Sequence, residues 1–272
     1  MFRIKRKTFI KLVCLFIPSK RMRRSLRGQL SAPPHNNDNV VIIIDESGNS
    51  HEFIMSPAMV LSKKYRELVR NFSLNVGFDN VYTKDRSIYK NNKIVIHLPC
   101  HGNINVKFNY GGCNNYVELG RNFHMKYAHL DLFYDNNRFI VGENGAGSKL
   151  NVLSCGNQIK IGNDLMLAQV FILCDGHAVL DAKTRECINV PTEPVSVGNH
   201  VWIGHDVILT AKAGIPDHCI VPVRSVVTKK FIEPNCLIAG NPASVKKTGI
   251  DWDANQPAAY LIDGSRPHID MF

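Results

Sequence analysis

The sequence predicts an all-β fold, a solenoid of short parallel strands wound into a β-helix, and three observations carry that prediction. Reading every sixth residue from Val197 gives Val197, Ile203, Leu209, Ile215, Val221 and Val227, all branched aliphatics. The fifth place of each hexad is small or apolar too: Val201, Val207, Ala213, Cys219 and Ser225. Upstream, an asparagine-centred pattern recurs more loosely, as Asn91-Asn92, Asn114-Asn115, Asn136-Asn137 and Gly156-Asn157. A period of six fits neither an α-helix (3.6) nor a half-buried strand (2). It fits a prism with a corner every sixth residue, each side contributing one inward aliphatic. Successive coils would then stack at about 4.8 Å, each aliphatic resting on its equivalents above and below.

The chain divides by composition. Of 272 residues with a net charge of +10, residues 1–30 hold ten Lys and Arg and no acid. The remainder is balanced, so residues 1–39 read as a basic arm and linker rather than as part of the body. The arm's apolar run, Thr8 to Ile17, is interrupted by Lys11 and too short to span a bilayer. RMRR follows where a signal peptide would need small residues. Peripheral contact with anionic headgroups through residues 1–30 is one reading; a helix packed on the body or a solvated tail is the other. Nucleic acid is not an expected partner, because neither aromatic interleaving nor a binding motif accompanies the charge. Eight cysteines without a CxxC pair suit reduced thiols and a cytoplasmic protein, at most peripheral at the inner face of the membrane.

Residues 40–72 read as a small N-terminal cap. VVIIIDESGNSHEFIM predicts a strand, a Ser-Gly-Asn turn and a second strand. Val60, Leu61, Tyr65, Leu68, Val69 and Phe72 fall at helical spacing, which reads as a short helix across residues 57–72 or, equally, as apolar residues alternating with charges in a solenoid cap. The β-helix is expected over 73–247. Its upstream asparagine pairs recur at intervals somewhat longer than three hexads, so those coils should carry corner loops. Ile161, Leu167 and Leu173 share the phase of Val197. Arg185 and Pro191 break it, so residues 178–194 read as a loop thrown out from the prism, directly after Cys174-Asp175-Gly176-His177. Residues 248–272 form an aperiodic C-terminal tail.

The hexads resemble those of the hexapeptide-repeat acyltransferases, whose fold is a left-handed parallel β-helix; the hand comes from the resemblance alone. DGHAVLDAKTRECIN followed by VSVGNHVWIG, then SVVTK and AGNPA, is similar to O-acetyltransferases acting on sugars. These include the maltose, galactoside and nodulation-factor enzymes, with bacterial capsular and lipopolysaccharide O-acetyltransferases the nearest pattern. The resemblance spans about residues 90–247 and implies an acetyl-CoA-dependent homotrimer whose acceptor is a sugar or polysaccharide hydroxyl. It makes His177 the general base, with Asp175 or a backbone carbonyl orienting the imidazole, and sets Trp202 beside the thioester. Thr228, Lys229 and Lys247 match positions along the cofactor groove. One departure bears on donor fit: Val223-Arg224-Ser225 stands where related chains tend to read Ala-Gly-Ser.

Two other functions compete. Trimeric carbonic anhydrases share this architecture and bind zinc through histidines, and His200 and His205 have a five-residue ligand spacing. Adjacent prism faces need not let the two converge, so no metal ligands are assigned. A non-catalytic glycan-binding solenoid would leave His177 dispensable.

Overall fold

The computed structural model describes residues 39–79, 88–174, 176–255 and 257; the basic arm lies outside them. Strands β1 (Val40–Ile44), β4 (Lys93–His97), β6 (Tyr116–Leu119), β8 (Arg138–Val141), β10 (Gln158–Ile161), β12 (Val195–Val197) and β14 (Gly214–Ile215) stack in parallel as one face of a prism. A second series comprises β3 (Phe72–Asp79), β5 (Cys100–Asn109), β7 (Phe123–Phe133), β9 (Ala146–Cys155), β11 (Met166–Leu173) and β13 (Trp202–Thr210). Each of these longer strands supplies the other two faces. That is plain at β13, whose first half pairs with β15 (Ile220–Val221) and whose second half pairs with β16 (Val226–Val227).

Both ends are closed by antiparallel hairpins. At one end β1 turns back into β2 (Ser50–Ile54), with Val40 opposite Ile54. Asp45 organises that turn, accepting from the Ser47 and Asn49 amides and from His51 Nε2 at 2.8 Å. The His51 bond and the Asn49 amide hold the Asp45 carboxyl well below the usual carboxylate range. At the other end β17 (Cys236–Gly240) pairs with β18 (Ala243–Thr248). The helical segment is split into α1 (Pro57–Leu61) and α2 (Lys63–Leu68), because Ser62 takes an extended backbone and caps the second helix through Tyr65 N. Phe72, expected at the helix end, instead opens β3.

The six hexad aliphatics are all inside, from 0% exposed at Leu209, Val221 and Val227 to 4% at Val197. Val201, Val207, Ala213, Cys219 and Ser225 are buried with them. Val197 lies on Ile215, Ile203 on Val221 and Leu209 on Val227, so each coil here is three hexads without variation. Upstream the coils are longer and unequal. Successive sequence separations along Asn92, Asn115, Asn137 and Asn157 are 23, 22 and 20.

Those longer coils have a polar spine. Asn39, Asn92, Asn115, Asn137 and Asn157 are buried one above another. Asn92 donates its amide N–H and side-chain NH₂ to Asn39 Oδ1, Asn115 donates the same pair to Asn92 Oδ1, and Asn137 to Asn115 Oδ1, all at 2.8–3.0 Å. The residue before each rung turns the corner: Asn91, Asn114 and Asn136 have φ of 56–62° and Gly156 has 68°. The recurring pair thus divides its work between a left-handed corner and a buried rung.

Leu173 departs from expectation. It is 39% exposed, and Ile172 occupies the inward place on Leu209. A bulge between Gln169 and Val170 shifts the register by one, because β13 turns its corner at Asp206 (φ 56°) with a residue β11 lacks. A one-residue slip reverses which side chain faces in. The stretch from Ile161 to Val197, six hexads in sequence, makes one coil plus the excursion, since the two residues are direct neighbours.

Candidate active site

Outward-facing residues of the second prism face form a groove of about 650 Å³ running across successive coils. Its floor is narrow where Ala168 and Gly204 present little side chain, and a Cβ at Gly204 would come within 2.8 Å of the Val223 amide nitrogen. Trp202, Ile220 and Leu237 come from neighbouring strands in register and form an apolar wall. Val223 and Pro222 line it from the next corner, and Ile250 from the C-terminal segment. Polar groups are few: His205, Lys247 and Asp251. Such a lining suits a long, slender molecule with an apolar arm and an anionic group near Lys247.

The excursion after β11 forms a separate hairpin. Leu180 bridges Cys187, the Ile188 amide donates to Val179 O at 2.8 Å, and Arg185 turns the tip with φ 62°. Asp181 accepts from the Thr184 and Lys183 amides, which lowers its carboxyl below the ordinary value. Asn189 ties both ends together, accepting from the Val179 amide and donating to His177 O at 2.9 Å. The His177 side chain is exposed at the root of this hairpin. The arm also presents Val179, Ile188 and Val190 to solvent, each more than half exposed.

The tail covers one edge of the groove. Trp252 is 9% exposed; its indole N–H donates to His200 O at 2.8 Å and its ring stacks on the His200 imidazole at 4.4 Å. Its centroid lies 6.4 Å from that of Trp202.

Of the residues singled out in the sequence, Trp202 and Lys247 share the groove, together with Val223 of the divergent corner. His177, Thr228 and Lys229 do not line it. Thr228 and Lys229 are exposed beyond β16, where the Lys229 ammonium lies over the Phe231 ring at 5.5 Å. Asp175 lies outside the described residues. His205 faces the groove, whereas His200 turns to a different corner with His218, so the five-residue spacing does not bring His200 and His205 to one point. Sequence reasoning missed the contribution of the tail, since Ile250, Asp251 and Trp252 follow no period. The available signal was a lone tryptophan between two aspartates, an unusual residue for a solvated tail.

Comparison with known proteins supports the family resemblance. No protein-family model matches the chain. The galactoside O-acetyltransferase of Escherichia coli K12 is 29% identical over 149 residues, covering 54% of this chain and 60% of that protein. A chloramphenicol acetyltransferase of Agrobacterium fabrum is 24% identical over 48% of this chain and 66% of its own length. The crystal structure of the polySia-specific acetyltransferase NeuO aligns with a TM-score of 0.53 at 24% identity, over 69% of this chain and 91% of that one. The chain spans from about two fifths to two thirds of the length of these curated relatives and of a putative acetyltransferase from Schizosaccharomyces pombe. These relatives are named as acetyltransferases, and the fold is shared with NeuO.

Proposed function

We propose that the chain is an acetyl-CoA-dependent O-acetyltransferase whose acceptor is a hydroxyl of a sugar or polysaccharide. The observation that carries this reading is the groove, apolar along Trp202 and Val223 with Lys247 at its rim, on the fold of the acetyltransferases it resembles. In it the pantetheine arm lies along the Trp202 wall and Lys247 meets the donor's phosphates. When bound, the donor supplies an activated thioester carbonyl. A sugar hydroxyl is far too weak an acid to attack that carbonyl unaided at neutral pH, so a base takes its proton as the C–O bond forms. His177 takes that proton and passes it to the departing thiolate, which leaves as the free thiol.

In a single copy His177 stands on a projecting arm, and the groove is on another face. The apolar residues of that arm support seating it against a second copy, so that the site is assembled between subunits of a homotrimer. Val223 lines the groove where the pantetheine arm passes and narrows its path.

The test is paired: turnover on glycan acceptors and coenzyme A affinity, measured on the same His177→Ala protein. Loss of turnover on the order of 10²–10⁴-fold with donor affinity retained is expected for a general base. Loss of affinity with turnover intact at saturating donor would make His177 a binding residue. Near-normal values of both would transfer the role to His205, and no thioester consumption by the wild type would favour a glycan-binding solenoid.

A further inference from the structure

We propose that His200, His218 and Asp251 form a binding site for a divalent transition-metal ion, zinc being the ion their donors suit best. Three chain segments meet there. His200 and His218 turn equivalent corners of successive coils, each with a left-handed backbone (φ 52° and 57°), which sets their rings 5.1 Å apart. The corner is fixed by the backbone: the His200 amide donates to Asn163 O and the His218 amide to Asn199 O, at 2.8 and 2.9 Å. Asp251 arrives from the tail after β18. Its carboxylate lies 3.1 Å from His218 Nδ1 and 3.6 Å from His200 Nε2, and one donor atom from each residue falls within a 4.8 Å cluster.

Ligands about 2.0–2.1 Å from a tetrahedral zinc are about 3.3 Å apart. The two histidine–carboxylate separations, to Oδ1 from His200 and to Oδ2 from His218, lie on either side of that edge. With one donor atom from each residue inside 4.8 Å, the three close on an ion by side-chain rotation. Two imidazoles and a carboxylate make a borderline donor set, suited to zinc and its neighbours rather than to magnesium or calcium. The surroundings hold the ligands in place. Trp252 stacks on the His200 ring, and the Trp252 amide donates to Asp251 Oδ1 at 2.9 Å. Asp164, on the corner one coil before His200, accepts instead from Asn144 Nδ2. Without an ion, His200 Nε2 lies 3.0 Å from Trp252 O and donates to it. Binding exchanges that bond: the proton resides on Nδ1, Nε2 becomes a ligand, and the Trp252 carbonyl remains within reach as a further oxygen donor. All three side chains keep contact with solvent, which leaves water to complete the coordination.

The consequence is mechanical. Asp251 lines the groove that Trp202 walls, so an ion here would tie the tail to two coils and fix the groove's edge. This site lies within one chain and does not involve His205, so it is not the His200–His205 pair that the five-residue spacing suggested, and it stands whether or not the chain transfers acetyl groups.

The test uses the full chain stripped with a chelator and titrated with Co²⁺, followed by its visible absorption, then with Zn²⁺ in competition. One ion per chain is expected by elemental analysis, with a rise in melting temperature on adding Zn²⁺. His218→Ala and Asp251→Asn should each weaken binding at least about 10-fold and lose the metal-induced rise, while their metal-free melting shows that the fold persists. His205→Ala should bind as the wild type does. Absence of Co²⁺ binding by the wild type, unchanged affinity in His218→Ala, or loss on His205→Ala would each overturn the assignment.

Discussion

From Asn39 to Asn157 the buried column at one corner of the prism is amide, whereas from Val197 to Val227 the buried columns are aliphatic or small, with Ser225 the buried polar exception, and the other polar groups sit outside, many of them at the corners. The first stretch tolerates coils of unequal length, each longer than three hexads; the second holds to three hexads throughout. The two facts belong together. Stacked aliphatics attract without direction, so one rung is as well placed against its neighbour as against a shifted one. Register must then come from the corners, and corners can set it only if they recur at a fixed interval. An asparagine rung is directional: Asn115 must place two donors on Asn92 Oδ1 while its own Oδ1 receives two from Asn137. With register fixed inside the prism, the outer loops are free to vary.

Removing one rung should therefore be the most damaging change outside the active site. In Asn115→Ala the Asn137 amide loses its acceptor, the Asn137 side-chain NH₂ keeps only Phe133 O and Tyr134 O, and Asn92 Oδ1 keeps the backbone N–H of residue 115 but loses the side-chain donor. One buried donor left unpaired costs about 1–3 kcal/mol and each of the two other bonds lost about 1 kcal/mol, so about 3–5 kcal/mol is expected for the rung. Leu209→Ala, the comparable deletion in the aliphatic stretch, should cost about 3 kcal/mol. Denaturant melts of the two variants decide it. A smaller loss for Asn115→Ala than for Leu209→Ala would mean that the amides merely fill the corner.

A second change tests what the two stretches share. Gly142, Gly162 and Gly198 lie one above another, and a Cβ at Gly162 would stand 2.6 Å from Asn199 Oδ1 and 2.7 Å from the Gly198 backbone. The glycine column crosses from the amide region into the aliphatic one, so close backbone approach is a requirement of both. Gly162→Ala should cost about 1–3 kcal/mol, the usual penalty of overpacking. The same melts show it, and a neutral outcome would mean the coils can separate locally at this corner.

How far each region was legible follows from the same contrast. The hexads were readable because burial alone selects Val, Ile and Leu, and a fixed corner interval turns burial into a period. The asparagines were visible as a repeat, but sequence spacing could not show that the first of each pair turns the chain while the second is buried. Leu173 was assigned inward because counting by sixes cannot see a bulge, and one residue missing at the β11 corner reverses the faces beyond it. The excursion was legible as a break in phase. His200 and His218 stand three hexads apart, one full coil, so their stacking could be read by following the corners instead of the core. Asp251 and Trp252 were not legible, because a tail that packs across the outside of the prism answers to no repeat.

The smallest effect concerns the corners themselves, where the two regions should respond with opposite sign. Arg224 turns a corner with φ 57°, a conformation that costs an ordinary L-residue about 1–2 kcal/mol. Its side chain is 83% exposed and its contact with Asp206 is 4.0 Å long, which contributes next to nothing. The backbone bond from its amide to His205 O survives any substitution except proline. Glycine removes the steric cost and adds about 0.5–1 kcal/mol of chain entropy, so Arg224→Gly should stabilise by up to about 1 kcal/mol. Asn136 occupies the same kind of corner with φ 62°, but asparagine tolerates that backbone. Asn136→Gly relieves little and still carries the entropy cost, and should destabilise by about 0.5 kcal/mol. Matched melts of the two variants read the difference directly. Opposite signs would mean that the amide region settled its corners for stability. The aliphatic region would then keep a strained arginine beside Val223 at the groove, where something other than the fold retains it. Equal signs would place both corners under the same constraint, and Arg224 would need no further reason.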